Sequence, residues 1–109
     1  MALAQTFGAL SDPTRCAVIG RLAQTKEAPV SELAAPHDMS LPAFLKHVRV
    51  LEAAGLIRTE KVGRVRQCWL VPGRLAEAER WIRHHRSFWT GQLDSLDRYL
   101  RARPPTKEV

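Results

Sequence analysis

A chain of 109 residues, 45% hydrophobic and 26% charged, can bury one core but not two, and its composition is far from that of a disordered chain. Seventeen lysines and arginines against 11 acidic residues give a formal charge of +6, which favours a polyanionic partner, nucleic acid ahead of an acidic membrane. No uncharged stretch approaches the roughly 18 apolar residues of a spanning helix, and the apolar start lacks the basic flank and cleavage site of a secretory signal, so a cytoplasmic protein with no membrane partner is expected.

Leu3, Phe7 and Leu10 recur at four and three and predict a short first helix that ends at Ser11-Asp12-Pro13. Asp12 followed by Pro13 has the form of an N-cap and a first helical residue, and Val18, Ile19 and Leu22 supply the buried stripe of a second helix to about Ala23. After a basic-acidic loop, Ser31 is expected to cap a short third helix through Pro36, and Ser40 a fourth carrying Phe44, Val48 and Leu51, closed at Gly55. The β-prone runs Leu56–Val62 and Val65–Leu70 around Gly63-Arg64 predict a basic hairpin, which Pro72-Gly73 breaks off.

From Arg74 to Arg101 no proline interrupts a helical seam of Leu75, Ala78, Ile82, His85, Trp89, Gln92, Leu96 and Tyr99, widened by Trp81, Phe88, Leu93 and Leu100. That is more apolar surface than an edge helix of so short a chain covers by itself, so residues 74–101 call for a partner helix. The expected organisation is one domain over residues 1–103 with a flexible tail at 104–109.

Two short helices joined tightly and followed by a basic hairpin are the order of a winged helix-turn-helix, mainly α with a small β-hairpin. Lys46, Arg49, Arg58, Lys61, Arg64 and Arg66 stand against only Glu52 and Glu60 between Ser40 and Pro72, so most of the net charge falls on the fourth helix and the hairpin. With Phe44, Val48 and Leu51 inward, Leu41, Pro42, Ala43, Leu45, Lys46 and Arg49 turn outward beside the Ser40 cap. Lys46 and Arg49 suit phosphates or guanine, and Ala43 and Leu45 suit thymine methyls. His47 reads equally as a contact to double-stranded DNA and as a packed residue, while Lys61, Arg64 and Arg66 suit backbone or minor-groove contact.

The segments Ala9–Arg15 (Asp-Pro-Thr-Arg), Val30–Ala34, Ser40–Val48 (with Lys46-His47) and Leu51–Ile57 (Leu-Glu-Ala-Ala-Gly-Leu-Ile) resemble the ArsR/SmtB family of bacterial repressors, over roughly residues 3 to 100. The resemblance implies a homodimeric winged helix, joined through its first and last helices, that binds an imperfect inverted repeat and represses. Leu3, Phe7, Leu10, Ile82, His85, Trp89, Leu93, Leu96 and Leu100 are the residues it assigns to that interface. Leu45 replaces the family's usual serine and removes a hydroxyl able to bond phosphate or base.

Relatives that sense soft metals often carry Cys-Val-Cys where this chain has Pro29-Val30-Ser31, with Ala34 at a further cysteine position. The family's second site falls on Pro72, Arg74, His85 and Phe88, one ligand of four. No metal and no cofactor is therefore expected, and His84-His85 point about 100° apart on a helix and do not clamp one ion. Cys16 and Cys68 lack Cys-x-x-Cys spacing; packed thiols are the default, and a redox role for Cys16 and Cys68 is the alternative, Cys16 lying beside Arg15 at a helix start, where a thiol's pKa can fall.

No nucleophile, base or paired carboxylates are spaced to converge, and no Gly-rich phosphate loop is present, so the sequence does not read as an enzyme. Two uses remain beside a dimeric repressor with an unidentified small-molecule effector. One is a basic dimeric module that binds an acidic protein or RNA without reading DNA sequence, and the other is a small-ligand or thiol sensor.

Overall fold

The computed structural model describes residues 2–102, without the side chains of residues 87–89. The described residues divide into two compact units, at Ala78 and Glu79. The first holds α1 (Ala2–Ala9), α2 (Pro13–Thr25), β1 (Glu27–Pro29), α3 (Val30–Ala34), α4 (Leu41–Ala53), β2 (Ile57–Val62), β3 (Val65–Leu70) and the first residues of α5 (Pro72–Ala102); the second is α5 from Glu79 onward. The predicted tail, 104–109, lies outside the described residues.

Two helices of the first unit, α2 and α4, start where local chemistry tells them to. Asp12 caps α2, its Oδ2 accepting from the Arg15 backbone N–H at 3.1 Å, with Pro13 in the first turn. Ser40 caps α4 in the same way, its Oγ accepting from the Ala43 N–H at 3.2 Å, and Pro42 fits the first turn because its missing N–H has no helical partner there. Gly55, at φ +75, ends α4. Its N–H bonds the Glu52 carbonyl and that of Leu56 bonds the Leu51 carbonyl, the paired pattern of a Schellman closure, and the Leu51 and Leu56 side chains are both fully buried beneath it.

The predicted hairpin pairs from Ile57↔Leu70 to Val62↔Val65, around a turn with Gly63 at φ +65. It is not a lone hairpin, however. β1, expected as loop, pairs antiparallel with β3 through Ala28↔Cys68, giving a three-stranded sheet in the order β1-β3-β2. Glu27 binds the sheet further: its carboxylate accepts from the Trp69 indole N–H at 2.6 Å, while Arg58 lies over the Trp69 ring at 4.6 Å. The core between sheet and helices is built from Val18 and Leu22 of α2, Phe44 and Leu51 of α4, Leu56, and Cys68 of β3.

Two predicted boundaries move. α3 starts at Val30 after Pro29, with no side-chain cap, so Ser31 lies inside the helix instead of capping it. Pro72 and Gly73 belong to the first turn of α5 and do not precede it; proline at a helix start costs no hydrogen bond. The arrangement as a whole is a winged helix-turn-helix. Among the described residues no helix is long and apolar enough to cross a membrane.

Candidate nucleic-acid interface

α4 divides cleanly by face. Phe44, Val48 and Leu51 are buried, Leu41, Pro42, Lys46 and Arg49 are exposed, and Ala43 and Leu45 are half-buried at the margin. The hairpin continues this surface. A groove of about 310 Å³ lies between them, lined by Val30, Ser31, Leu41 and Leu45 from the helices and by Arg64, Val65 and Arg66 from the hairpin.

A second groove follows behind it, between Leu45, Arg49 and Glu52 of α4 and Thr59 and Arg66 of the sheet. Here helix and hairpin are tied together: the Glu52 carboxylate accepts from the Thr59 N–H at 3.2 Å and from its hydroxyl at 3.0 Å, and Arg66 donates to the same hydroxyl oxygen at 3.2 Å.

Glu52 is thus engaged by Thr59, and Glu60 lies 3.9 Å from Arg58. Among the described residues no carboxylate pairs with Lys46, Arg49, Lys61, Arg64 or Arg66, the five cations assigned to the site from sequence. Lys61 and Arg66 stand opposite each other in the β2–β3 register. Like charges so placed repel, and a polyanion laid across them removes the repulsion.

His47 departs from this face. Its Nδ1 lies 3.0 Å from Arg15 Nη1 and 3.7 Å from Asp12 Oδ2, so the ring turns toward the start of α2 and not to the exposed set. The hydrogen bond from the Arg15 N–H, joined by that from Thr14 and by the Arg15 charge, holds the Asp12 carboxyl below its ordinary 3.8, against a partial desolvation that opposes it. Arg15 also donates from Nε to the Ala9 carbonyl at 2.7 Å. The sequence reading did not give Arg15 a structural role; its position in Asp-Pro-Thr-Arg was the only signal, and its partners lie six and thirty-two residues away.

The cysteines separate. Cys16 is exposed, its thiol donating to the Leu10 carbonyl at 2.8 Å. Cys68 is fully buried in β3, and burial, with the nearby Glu52 charge, pushes its thiol up to about 11. A buried, protonated thiol cannot serve as the resolving partner of a redox pair, which corrects the redox assignment of Cys68.

Of the proposed interface residues in the first unit, Phe7 is exposed and Leu3 and Leu10 are half-buried. In the second unit, Ile82, Leu93, Leu96 and Leu100 are exposed, and His85 bonds the Trp81 carbonyl at 2.9 Å and stacks on the Trp81 ring. The side chain of Trp89 lies outside the described residues. Pro29, Val30, Ser31 and Ala34 carry no thiolate or imidazole, and Arg74 lies 3.4 Å from Glu77.

Residues 10–60 match the family model of a helix-turn-helix domain. Among solved structures, an ArsR family transcriptional regulator is 47% identical, with 83% of this chain and 98% of that one covered at a TM-score of 0.76. The chain belongs to the ArsR family of transcriptional regulators. An ArsR-like transcriptional regulator from Rhodococcus sp. RHA1 is 30% identical over 90% of this chain and 92% of its own, with a TM-score of 0.67. A protein described as a "possible transcriptional regulator for arsenical resistance" is 34% identical over 90% and 95%, with a TM-score of 0.66. No match is found among curated proteins. This ArsR-family chain is a DNA-binding transcriptional regulator, and the face of α4 and the hairpin is its candidate DNA surface.

Proposed function

We propose that the chain is a dimeric repressor that binds an inverted-repeat operator. Residues 1–103 act as one DNA-binding domain, and α5 is its dimerisation helix. The observation that carries this reading is the continuity of the exposed face of α4 with the hairpin, where Lys46, Arg49, Lys61, Arg64 and Arg66 lie without carboxylate partners among the described residues. α4 enters the major groove, with Lys46 and Arg49 reaching base edges or phosphates and Leu41, Pro42, Ala43 and Leu45 at its leading end beside the Ser40 cap. Arg64 at the hairpin tip, with Lys61 and Arg66, takes the backbone or the minor groove.

Two such faces in a dimer read half-sites about 34–36 Å apart, one duplex turn. The exposed Ile82, Leu93, Leu96 and Leu100 of α5 support that dimer, and the family resemblance adds α1 through Leu3, Phe7 and Leu10. Induction requires a small-molecule effector that binds the free dimer better than the DNA-bound one.

Fluorescence anisotropy on duplex from immediately upstream of its own gene, against scrambled duplex at about 0.15 M salt, tests the reading. A preference of about 10³ or more is expected. Lys46→Ala with Arg49→Ala erases that preference, whereas Arg64→Ala weakens binding to both duplexes. Equal binding to every duplex, including an operator sought by selection from random sequence, sinks the repressor reading in favour of a charge-driven interaction module.

A further inference from the structure

The buried contacts of α4 are those of Phe44, Val48 and Leu51, which are apolar and therefore non-directional. They hold the helix against the core without a directional bond. Two polar ties act at its C-terminal end, Thr59 to the Glu52 carboxylate and Gln5 to the Ala53 carbonyl; the tie at its middle is the His47 ring, at the seventh of its 13 residues. Arg15 spans the gap: Nε donates to the Ala9 carbonyl at the end of α1, and Nη1 lies 3.0 Å from His47 Nδ1.

A guanidinium only donates, so Nδ1 accepts, which places the imidazole proton on Nε2 and requires a neutral ring. Asp12 completes the cluster. It caps α2 through the Arg15 N–H and lies 3.7 Å from the same Nδ1. The charged groups that meet the ring among the described contacts are these two, both from the start of α2.

We propose that Arg15 is a positioning residue for DNA reading: by joining the end of α1 to His47 it fixes the rotation of α4, and with it the aim of Lys46 and Arg49. His47 then serves specificity through its acceptor nitrogen and not as a base contact. The inference rests on the DNA-reading role of α4 given above. It differs from a purely structural role in what it predicts. Loss of folded protein lowers affinity for all duplexes alike, whereas a misaimed helix lowers the preference for operator over scrambled duplex.

The test uses the full chain, an operator selected from random duplex with the wild-type protein, and four variants. Arg15→Met and His47→Leu remove the two halves of the link; Arg15→Lys keeps the charge without the fork, and His47→Gln keeps an acceptor. The expected result is a fall of about tenfold in the operator-to-scrambled ratio for Arg15→Met, His47→Leu and Arg15→Lys, with binding to scrambled duplex unchanged and His47→Gln within about threefold of wild type. Nitrogen-detected NMR of the imidazoles in the DNA-free protein at neutral pH provides the second readout, with His47 protonated on Nε2 in the wild type and losing that fixed tautomer in Arg15→Met.

Unchanged preference in Arg15→Met and His47→Leu, or a His47 ring protonated on Nδ1, overturns the proposal. A His47→Gln protein that binds as poorly as His47→Leu overturns it as well, in favour of direct base contact by the ring. If wild-type protein selects no operator at all, the DNA-reading role falls and this inference falls with it; a specific wild type with indifferent variants refutes the inference alone.

Discussion

Lys61 of β2 and Arg66 of β3 face each other across the antiparallel ladder, two cations at a position where hairpins are stabilised by opposite charges. The free protein carries this repulsion, and duplex DNA relieves it. Lys61→Gln is therefore expected to act in opposite directions on two measurements. The free protein should become more stable by a few tenths of a kcal/mol in urea unfolding, while the slope of log affinity against log salt should shrink by about 1. A less stable variant with an unaltered salt slope would show that the pair is not part of the DNA surface.

Two glycines should respond to alanine with opposite signs. Gly55 sits at φ +75, and an added Cβ would stand 3.3 Å from Arg74 Nε, so Gly55→Ala is expected to cost about 1–2 kcal/mol through the left-handed backbone. Gly20, inside α2 with open space where a Cβ would go, should accept alanine with a gain of up to about 1 kcal/mol. Thermal unfolding of the two single variants decides the signs.

The two thiols should differ in reactivity and in their effect on alkaline stability. Cys16 is expected to react with iodoacetamide in the native protein, and Cys68 only after unfolding. Since the Cys68 thiol lies at about 11 in the fold against an ordinary 9.0, the folded state keeps a proton that the unfolded state gives up between those values. Stability from this group therefore falls as pH rises from about 9 to about 11. Cys68→Ala should be less stable at neutral pH yet lose stability less steeply in that window, measured as the difference between the two denaturation curves. Equal alkaline slopes would show that Cys68 does not contribute.

On α5, Leu93 is 63% exposed and Leu96 52%, apolar surface left uncovered within its own unit. Leu93→Asp with Leu96→Asp should shift the wild-type dimer expected in sedimentation equilibrium to monomer, and with it abolish operator binding while leaving the helical circular dichroism of the first unit in place. A double variant that sediments as the wild type does would remove α5 from the interface.

Much of the candidate DNA surface was legible in the chain because its signals are local. The Ser40 cap, the Gly55 stop and the spacing of Phe44, Val48 and Leu51 each act within a turn or two of helix, so they give both the extent of α4 and its outward face. The hairpin itself followed from Gly63 and the two β-prone runs. β1 was not legible, because Glu27–Pro29 is three residues long, too short to show alternation, and its partner β3 starts more than thirty residues later.

His47 was ambiguous for a related reason. A residue on the flank of a helix is assigned by what packs beside it, and Asp12 and Arg15 reach it only after α2 and α4 have packed.

The sequence alone thus determined the order of the helices, the caps of α2 and α4, and the basic character of α4 and the hairpin, since periodicity, capping and charge are properties of neighbouring residues. Tertiary structure decided the third strand, the burial of Cys68, the engagement of Glu52 by Thr59, and the turning of His47 to Arg15. Each of these joins groups distant in the chain, and such partners are chosen only when core packing closes the loops between them.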